Sequence, residues 1–252
     1  QEDMIDGGDG DDSLKGGNGK DTIIGAAGND SLYDGDGYNW FEGGEGNDTI
    51  KGGHFQDTIR GEEGDDFLDG GDGNDTIATG DGNDTAYGRA GNDEIVAYAT
   101  GNKLNLGEDG WDTIIGGDNG QDDLRGGDGN DAIYGMSGND TLFGDAGEDY
   151  LAGGLGNDVV LGGDGADNID GGYGADTMQG GLGNDTVSGF YDFDQDVYVM
   201  QMDNSHDLLI GFELGIDKID LSNAWLSSDL GKFPLHMFRE GDTYEFDFYG
   251  TS

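Results

Sequence analysis

A nine-residue period, held from Gly7 to Ser188, is the feature that most restricts how this chain can fold. The text divides into nonapeptides such as GGNGKDTII (16–24), GGEGNDTIK (43–51) and GGDGNDTIA (70–78). A blurred ten-residue unit, 97–106, interrupts the series, which resumes at Gly107 with one extra residue near Asn119. Twenty units align. The sixth position is Asp in eighteen of them, with Asn39 and Lys103 as exceptions. The eighth is read as apolar in all twenty, from Leu14, Ile23 and Leu32 to Met178 and Val187. A nine-residue unit with one inward side chain cannot bury its own core, so the units must stack and share one.

Each unit reads as a turn followed by a very short strand. Gly at positions one, two and four permits positive φ and close backbone approach. Asn is frequent at position five (Asn29, Asn47, Asn74, Asn139, Asn157) and is read there as a residue tolerated in the left-handed region. Positions seven to nine place one apolar side chain between two that face the other way, as in Thr22-Ile23-Ile24.

Composition raises a question that the period answers. The chain carries 56 Asp plus Glu against 10 Lys plus Arg, a formal charge of -46, and 55 of its residues are Gly. Such an acidic chain is unsuited to nucleic acid or to an anionic membrane surface. No stretch reaches the roughly 18 apolar residues of a spanning helix, so no membrane insertion is expected. Without cysteine there is neither a disulfide framework nor a thiolate metal site. High charge with little apolar content is the signature of disorder. A chain that nonetheless holds two columns in strict register needs a cation to fold it.

The GGxGxDxUx pattern resembles the calcium-binding nonapeptide repeats of the repeats-in-toxin (RTX) family across residues 7–188. The resemblance implies an all-β fold, a right-handed parallel β-roll (β-solenoid) of two nonapeptides per coil. Coils about 4.8 Å apart would stack into a rod, with Ca²⁺ in the turns along both edges. In the family each ion lies between turns on one edge and takes carboxylates from both. Carried over, position six supplies Asp12, Asp21, Asp30, Asp48, Asp57, Asp66, Asp75, Asp84, Asp93, Asp112, Asp122, Asp131, Asp140, Asp149, Asp158, Asp167, Asp176 and Asp185. Carbonyls of glycines such as Gly43, Gly70, Gly126 and Gly153 would be their partners. The chemistry suits calcium, which takes six to eight oxygens from carboxylates and carbonyls, better than Mg²⁺, which resists dehydration. No EF-hand loop is present. Roughly a dozen or more ions would fit by this geometry, and they would offset much of the negative charge. Binding and folding are therefore expected to be one event.

Three units depart from the pattern. In 34–42 Asn39 replaces the aspartate, which predicts a weakened site. In 52–60 Phe55 stands where Gly is usual, with His54 beside it, which predicts strain at a positive-φ position. In 97–106 Lys103 replaces the aspartate. Its ammonium standing in for the missing ion and a plain break in the roll are both open readings. The domain reading follows: residues 1–6 a partial repeat, 7–188 the roll in blocks 7–96 and 107–188 about the break, and 189–252 a small C-terminal β-rich cap. Because the chain opens in mid-repeat, with Asp3 and Ile5 in the sixth and eighth columns, a piece or processed product of a longer protein is expected.

After Ser188 the period stops. The run from His206 to Ser222, which ends in GFELGIDKIDLS, resembles the segment that closes the roll in serralysin-type metalloproteases and related secreted enzymes. A short helix is expected over Asn223–Leu230. A hairpin is expected over Leu235–Phe248, with Tyr244, Phe246 and Phe248 on one face. An open solenoid end needs such a cover.

No enzymatic activity is expected. His54, His206 and His236 lack the spacing of a zinc helix. Gly135-Met136-Ser137-Gly138 is not a nucleophile elbow, and Gly19-Lys20-Asp21 is not a phosphate loop. The family resemblance implies a calcium-folded module of a larger bacterial protein, secreted to the extracellular space or cell surface by type I secretion machinery. Such a module aids the secretion and folding of a covalently attached upstream passenger domain. The alternative is an extracellular adhesin or a carbohydrate-binding module like those of alginate epimerases. There Tyr33, Tyr87, Tyr134, Phe143 and Tyr150 would stack on an extracellular glycan. Ice binding by the threonine column (Thr22, Thr49, Thr58, Thr76, Thr85) is less well supported, because position nine carries Lys15, Glu42, Lys51 and Arg60 and leaves no flat array.

Overall fold

The computed structural model describes residues 2–97, 99–190, 192–201 and 205–221, with the backbone of Leu235–Glu240 and Thr243–Phe248. Among these residues the protein is all-β, with no helix. Strands, most of three or six residues, alternate between two facing sheets, so that each sheet receives every second unit. Thr22–Ala27 pairs in parallel with Trp40–Glu45, and Trp40–Glu45 with Thr58–Glu63. In the opposite sheet Thr49–His54 pairs with Phe67–Asp72, and Phe67–Asp72 with Thr85–Ala90. Each residue in these ladders meets the one 18 positions on, as Thr22 meets Trp40. Two nonapeptides therefore close one coil, and about twelve turns stack into a β-solenoid.

Each six-residue strand joins positions seven to nine of one unit to positions one to three of the next. The corner residues explain how the chain turns. Positive φ falls at positions two and four, for instance at Gly44 and Gly46. Six non-glycine residues at position two (Ala26, Glu62, Arg89, Glu108, Met136 and Asp145) also accept it, at a strain cost. Phe55, expected to be strained, has no positive φ. Position five does not use the left-handed region either. Its asparagines form a ladder instead: Asn29 Oδ1 accepts the Asn47 N–H at 2.8 Å, and Asn47 Oδ1 accepts that of Asp65 at 3.0 Å. A short polar side chain here satisfies a backbone donor of the next coil, which is why Asn recurs.

The eighth-position side chains of both sheets face one another and are fully buried from Ile23 to Met178. One member of the column is polar. The extra residue of the 97–106 unit lies ahead of Gly101, so Leu104 pairs with Thr85, and Asn105 falls opposite Ala86 and Leu124. Asn105 is fully buried and neither atom of its amide has a hydrogen-bond partner. It divides the apolar core into one stretch from Ile23 to Ile95 and another from Ile114 to Phe212. The second extra residue produces a register shift between Asp118 and Gly120, with Asn119 at positive φ.

Parallel pairing continues beyond Ser188. Val197–Val199 extends one sheet from Thr177–Leu182, and His206–Ile210 extends the other from Thr186–Ser188. Lys218–Asp220 adds a further strand, and Tyr198 and Leu209 carry the core column on. The expected hairpin, Leu235–Glu240 with Thr243–Phe248, then pairs antiparallel with His206–Ile210. It covers a sheet edge that would otherwise present unpaired backbone groups. The helix expected over Asn223–Leu230 and the facing of Tyr244, Phe246 and Phe248 lie outside the described residues.

Candidate metal centres

The sixth-position aspartates line two rows, one on each edge. All eighteen predicted residues lie in these rows, and all are buried except Asp12 in the first coil, which is half-buried. Each carboxylate has two different tasks. In every one but Asp12, which has no coil before it, one oxygen accepts the backbone N–H of the sixth residue one coil earlier: Asp48 Oδ1 from Asp30 at 2.8 Å, Asp75 Oδ1 from Asp57 at 2.7 Å, Asp158 Oδ1 from Asp140 at 2.8 Å. The other oxygen is turned inward under the corner. In Asp12, Asp21, Asp30, Asp48, Asp57, Asp66, Asp75, Asp93, Asp112, Asp131, Asp140, Asp149, Asp158, Asp167 and Asp176 this buried Oδ2 has no hydrogen-bond partner.

A repeated buried carboxylate oxygen without a donor is costly for any fold unless a cation faces it. The oxygen also has company. A methyl group placed on Gly135 would lie 2.8 Å from Asp140 Oδ2 and 2.5 Å from the Gly153 carbonyl oxygen of the next coil. The same pairing recurs beside Gly7, with Asp12 Oδ2 at 2.7 Å and Gly25 O at 2.9 Å. Position one is glycine because carboxylate and carbonyl oxygens close in on its Cα. The carbonyls of Gly43, Gly70, Gly126 and Gly153 lie in this way beside the Oδ2 atoms of Asp30, Asp57, Asp112 and Asp140.

Burial shows in the acidities. It pushes the carboxyls of Asp57, Asp66, Asp93, Asp131, Asp140, Asp167 and Asp176 up to about 7. Those of Asp48, Asp75, Asp112 and Asp158 are pushed up to about 6. In each case the accepted backbone N–H offsets part of the desolvation. Neighbouring aspartates of the same row add repulsion at several of them, as Asp84 and Asp48 do at Asp66. Without a cation these rows resist full ionisation near neutral pH.

The irregular unit holds a cation of its own. Lys103, fully buried, extends its ammonium back into the preceding turn on its edge. There Nζ donates to the Gly80 carbonyl at 2.7 Å, the Gly82 carbonyl at 2.8 Å, the Thr100 carbonyl at 3.2 Å and Asp84 Oδ2 at 2.7 Å. The donor set of a turn is thereby marked out by a resident positive charge: the carbonyls of positions two and four, the inward aspartate oxygen, and a carbonyl of the next coil. All are oxygens, the ligand type that calcium takes. Among the described residues no cluster of three or more His, Cys, Asp or Glu side chains could hold a metal. This donor set would draw most of its oxygens from the backbone, which a count of side chains does not register.

Asn39 keeps its place in the row, its Oδ1 accepting the Asp21 N–H at 3.0 Å. Its Nδ2 donates to the Gly37 carbonyl at 3.3 Å, so a neutral N–H points at an oxygen of the kind that Lys103 marks as cation-binding. The rows also run further than the period. Asp196 Oδ1 accepts the Asp176 N–H at 3.0 Å, Asp207 Oδ1 that of Asp185 at 3.3 Å, and Asp217 Oδ1 that of Asp196 at 3.1 Å. Asp196 is buried and pushed up to about 7, chiefly by burial, like the repeat aspartates. A search for Asp followed two residues later by a core side chain (Tyr198, Leu209, Ile219) would have found them. Of the histidines, His54 is exposed and paired with Asp72 at 2.9 Å, and the side chain of His236 lies outside the described residues.

Compared with known families, the chain matches the model described as RTX calcium-binding nonapeptide repeat (4 copies). The matches cover residues 2–32, 24–59, 42–77, 52–86, 69–99, 117–151, 125–160 and 152–187, about two thirds of the chain. No curated protein matches it.

Proposed function

The chain belongs to the RTX calcium-binding nonapeptide-repeat family, and from that premise we propose that it is a calcium-folded module of a larger secreted bacterial protein. Calcium-binding repeats wound into a β-roll are its established part. The position-six aspartates and the corner carbonyls would hold the ions, which supply positive charge between stacked carboxylates. The observation that carries the proposal is the repeated inward Oδ2, buried and without a donor in fifteen of the eighteen aspartates, whereas Asp84 takes Lys103 and Asp122 takes the Gly117 N–H. A fold with so many unsatisfied buried carboxylates is disfavoured when calcium is scarce. In the cytosol the chain would stay extended and able to thread a type I secretion channel. Outside the cell it would fold and promote folding of the passenger attached to it.

The test is a calcium titration of the chelator-treated chain, followed by far-UV circular dichroism and hydrodynamic radius. The proposal expects an extended chain below about 10⁻⁶ M and a compact β-rich one by about 10⁻³ M, the range of extracellular modules. A cooperative β-rich fold in excess chelator would overturn it. The glycan-binding alternative has less behind it, because its aromatics already have partners. Tyr87 packs on Phe67 and Arg89, Phe143 under Arg125, and Tyr33 under Lys15.

A further inference from the structure

The turn in which Asn39 replaces the sixth-position aspartate carries another carboxylate at its first position. Asp34 is the one acidic residue in a column otherwise filled by Gly, Thr79 and Ala97 within the repeats. Its backbone keeps the usual place, the N–H donating to the Lys51 carbonyl at 3.2 Å. Its side chain turns into the edge. Oδ1 accepts N–H groups from Gly35 at 2.7 Å and Gly17 at 3.1 Å, which fixes the carboxylate between two coils. Oδ2 is buried without a hydrogen-bond partner, and the whole residue is 6 % exposed.

What Oδ2 faces is the informative point. Beside Gly7 or Gly135 the inward aspartate oxygen is accompanied by a carbonyl of the next coil. Beside Gly16 the companion is Asp34 Oδ2. A methyl on Gly16 would lie 2.5 Å from it and 2.8 Å from Asp21 Oδ2. Two buried carboxylate oxygens, neither with a donor, thus converge on one point. Asp34 also lies close enough to Asp57, in the following coil, to be among the charges that raise it.

We propose that Asp34 is a metal ligand, and that its carboxylate supplies to the Gly16–Asn39 stretch of this edge the charge that Asn39 lacks. The inference rests on the calcium reading above. A regular pair of turns offers two carboxylates, one per coil. Here Asp21 provides the first and Asp34 the second, from position one in place of position six. A divalent ion with oxygens at about 2.3–2.6 Å fits between such a pair. Nothing else among the described residues neutralises them. Asn39, which has the size of an aspartate, turns its amide to the Gly37 carbonyl and brings no charge to this point.

Calcium bound per full-length chain, measured by equilibrium dialysis at saturation, tests this with wild type, D34N and D34G/N39D. Asn at 34 keeps the shape and the Oδ1 acceptor but removes the charge. The double variant restores glycine at position one and aspartate at position six. We expect one ion fewer in D34N and the wild-type number in D34G/N39D. If D34N does not fold, recovery of fold and count by the double variant still supports the assignment, and failure to recover the count overturns it. An unchanged count in D34N overturns it while leaving the general reading intact. A wild-type chain that binds no calcium defeats both, and the two failures are thereby distinguishable.

Discussion

The ammonium of Lys103 lies 2.7 Å from Asp84 Oδ2, with both side chains buried and the Gly80 and Gly82 carbonyls completing the contact. A lysine thus stands, on one edge of the roll, in a pocket of oxygens that its neighbours leave without a donor. Burial still raises the Asp84 carboxyl, with Lys103 opposing that effect. Removing one partner of a buried pair costs about 3–5 kcal/mol. K103M should therefore lower the melting temperature in saturating calcium by on the order of 10 °C for a chain of this size. A97G/K103D, which restores glycine and aspartate to their columns, should bind at least one calcium more than wild type. Calorimetry and equilibrium dialysis check the two outcomes, and an unaltered ion count in the double variant speaks against the stand-in role.

Position one tells the same story by volume. Gly153 does not have a positive φ, so alanine there meets no backbone objection. Its methyl would, however, lie 2.5 Å from Asp158 Oδ2 and 2.5 Å from the Gly171 carbonyl oxygen. G153A should cost about 1–3 kcal/mol in calcium, as overpacking does, and reduce the number of ions bound. A variant as stable as wild type with all its calcium would mean that this space is not a ligand cradle. Of the three repeats with a side chain at position one, two lack the sixth-position aspartate: Asp34 accompanies Asn39 and Ala97 accompanies Lys103, whereas Thr79 keeps Asp84, whose Oδ2 is held by Lys103.

Proton and calcium should compete. In the roll without metal, burial holds many carboxyls at about 6 to 7, against 3.8 for the ordinary group. A folded-state value raised in this way means that the native chain binds more protons than the unfolded one between about pH 4 and 7. Its stability then rises as pH falls through that window and is lost as pH climbs through about 6 to 7. In chelator, β-structure seen by circular dichroism should be greater near pH 5 than near pH 7.5. With calcium present the sign reverses, and the folding midpoint should move to higher calcium as pH drops below about 6. A chelated chain that loses β-structure on acidification contradicts the first half, and a calcium midpoint that does not move with pH contradicts the second.

The core offers a prediction independent of metal. Asn105 sits in the apolar column with both amide atoms unsatisfied, between Ala86 and Leu124. Desolvating an amide without partners costs about 1–3 kcal/mol. N105L should recover much of that and join the two core stretches, raising the melting temperature by roughly 2–4 °C per kcal/mol. A lower melting temperature would show that the amide is satisfied in solution.

Much of this architecture was legible in the sequence, because a strict period translates directly into coils. The register of 18, the inward eighth column and the edge rows of aspartates all follow from it. What stayed hidden lies where spacing fails. The ten residues of 97–106 allow two placements of the extra one, and only the pairing of Leu104 with Thr85 reveals Asn105 as the core residue. Asp196, Asp207 and Asp217 continue the rows at separations of 20 to 22 residues, which a nine-residue template does not find. The asparagines of position five do not reveal their role in the sequence, because propensity for positive φ and a ladder hydrogen bond select the same residue. Asp34 carries no signal of its own, because a first-position acid has meaning only once its distance to Asp21 is known.

The central claim is that the inward oxygens of the two rows are calcium ligands. An anomalous difference map from calcium-grown crystals tests it most directly. It should show a peak beside the inward Oδ2 at each regular turn, such as those of Asp48, Asp75, Asp131 and Asp158, and none at the turn filled by Lys103. A map without peaks at those aspartates, or one with a peak displacing Lys103, would contradict the account.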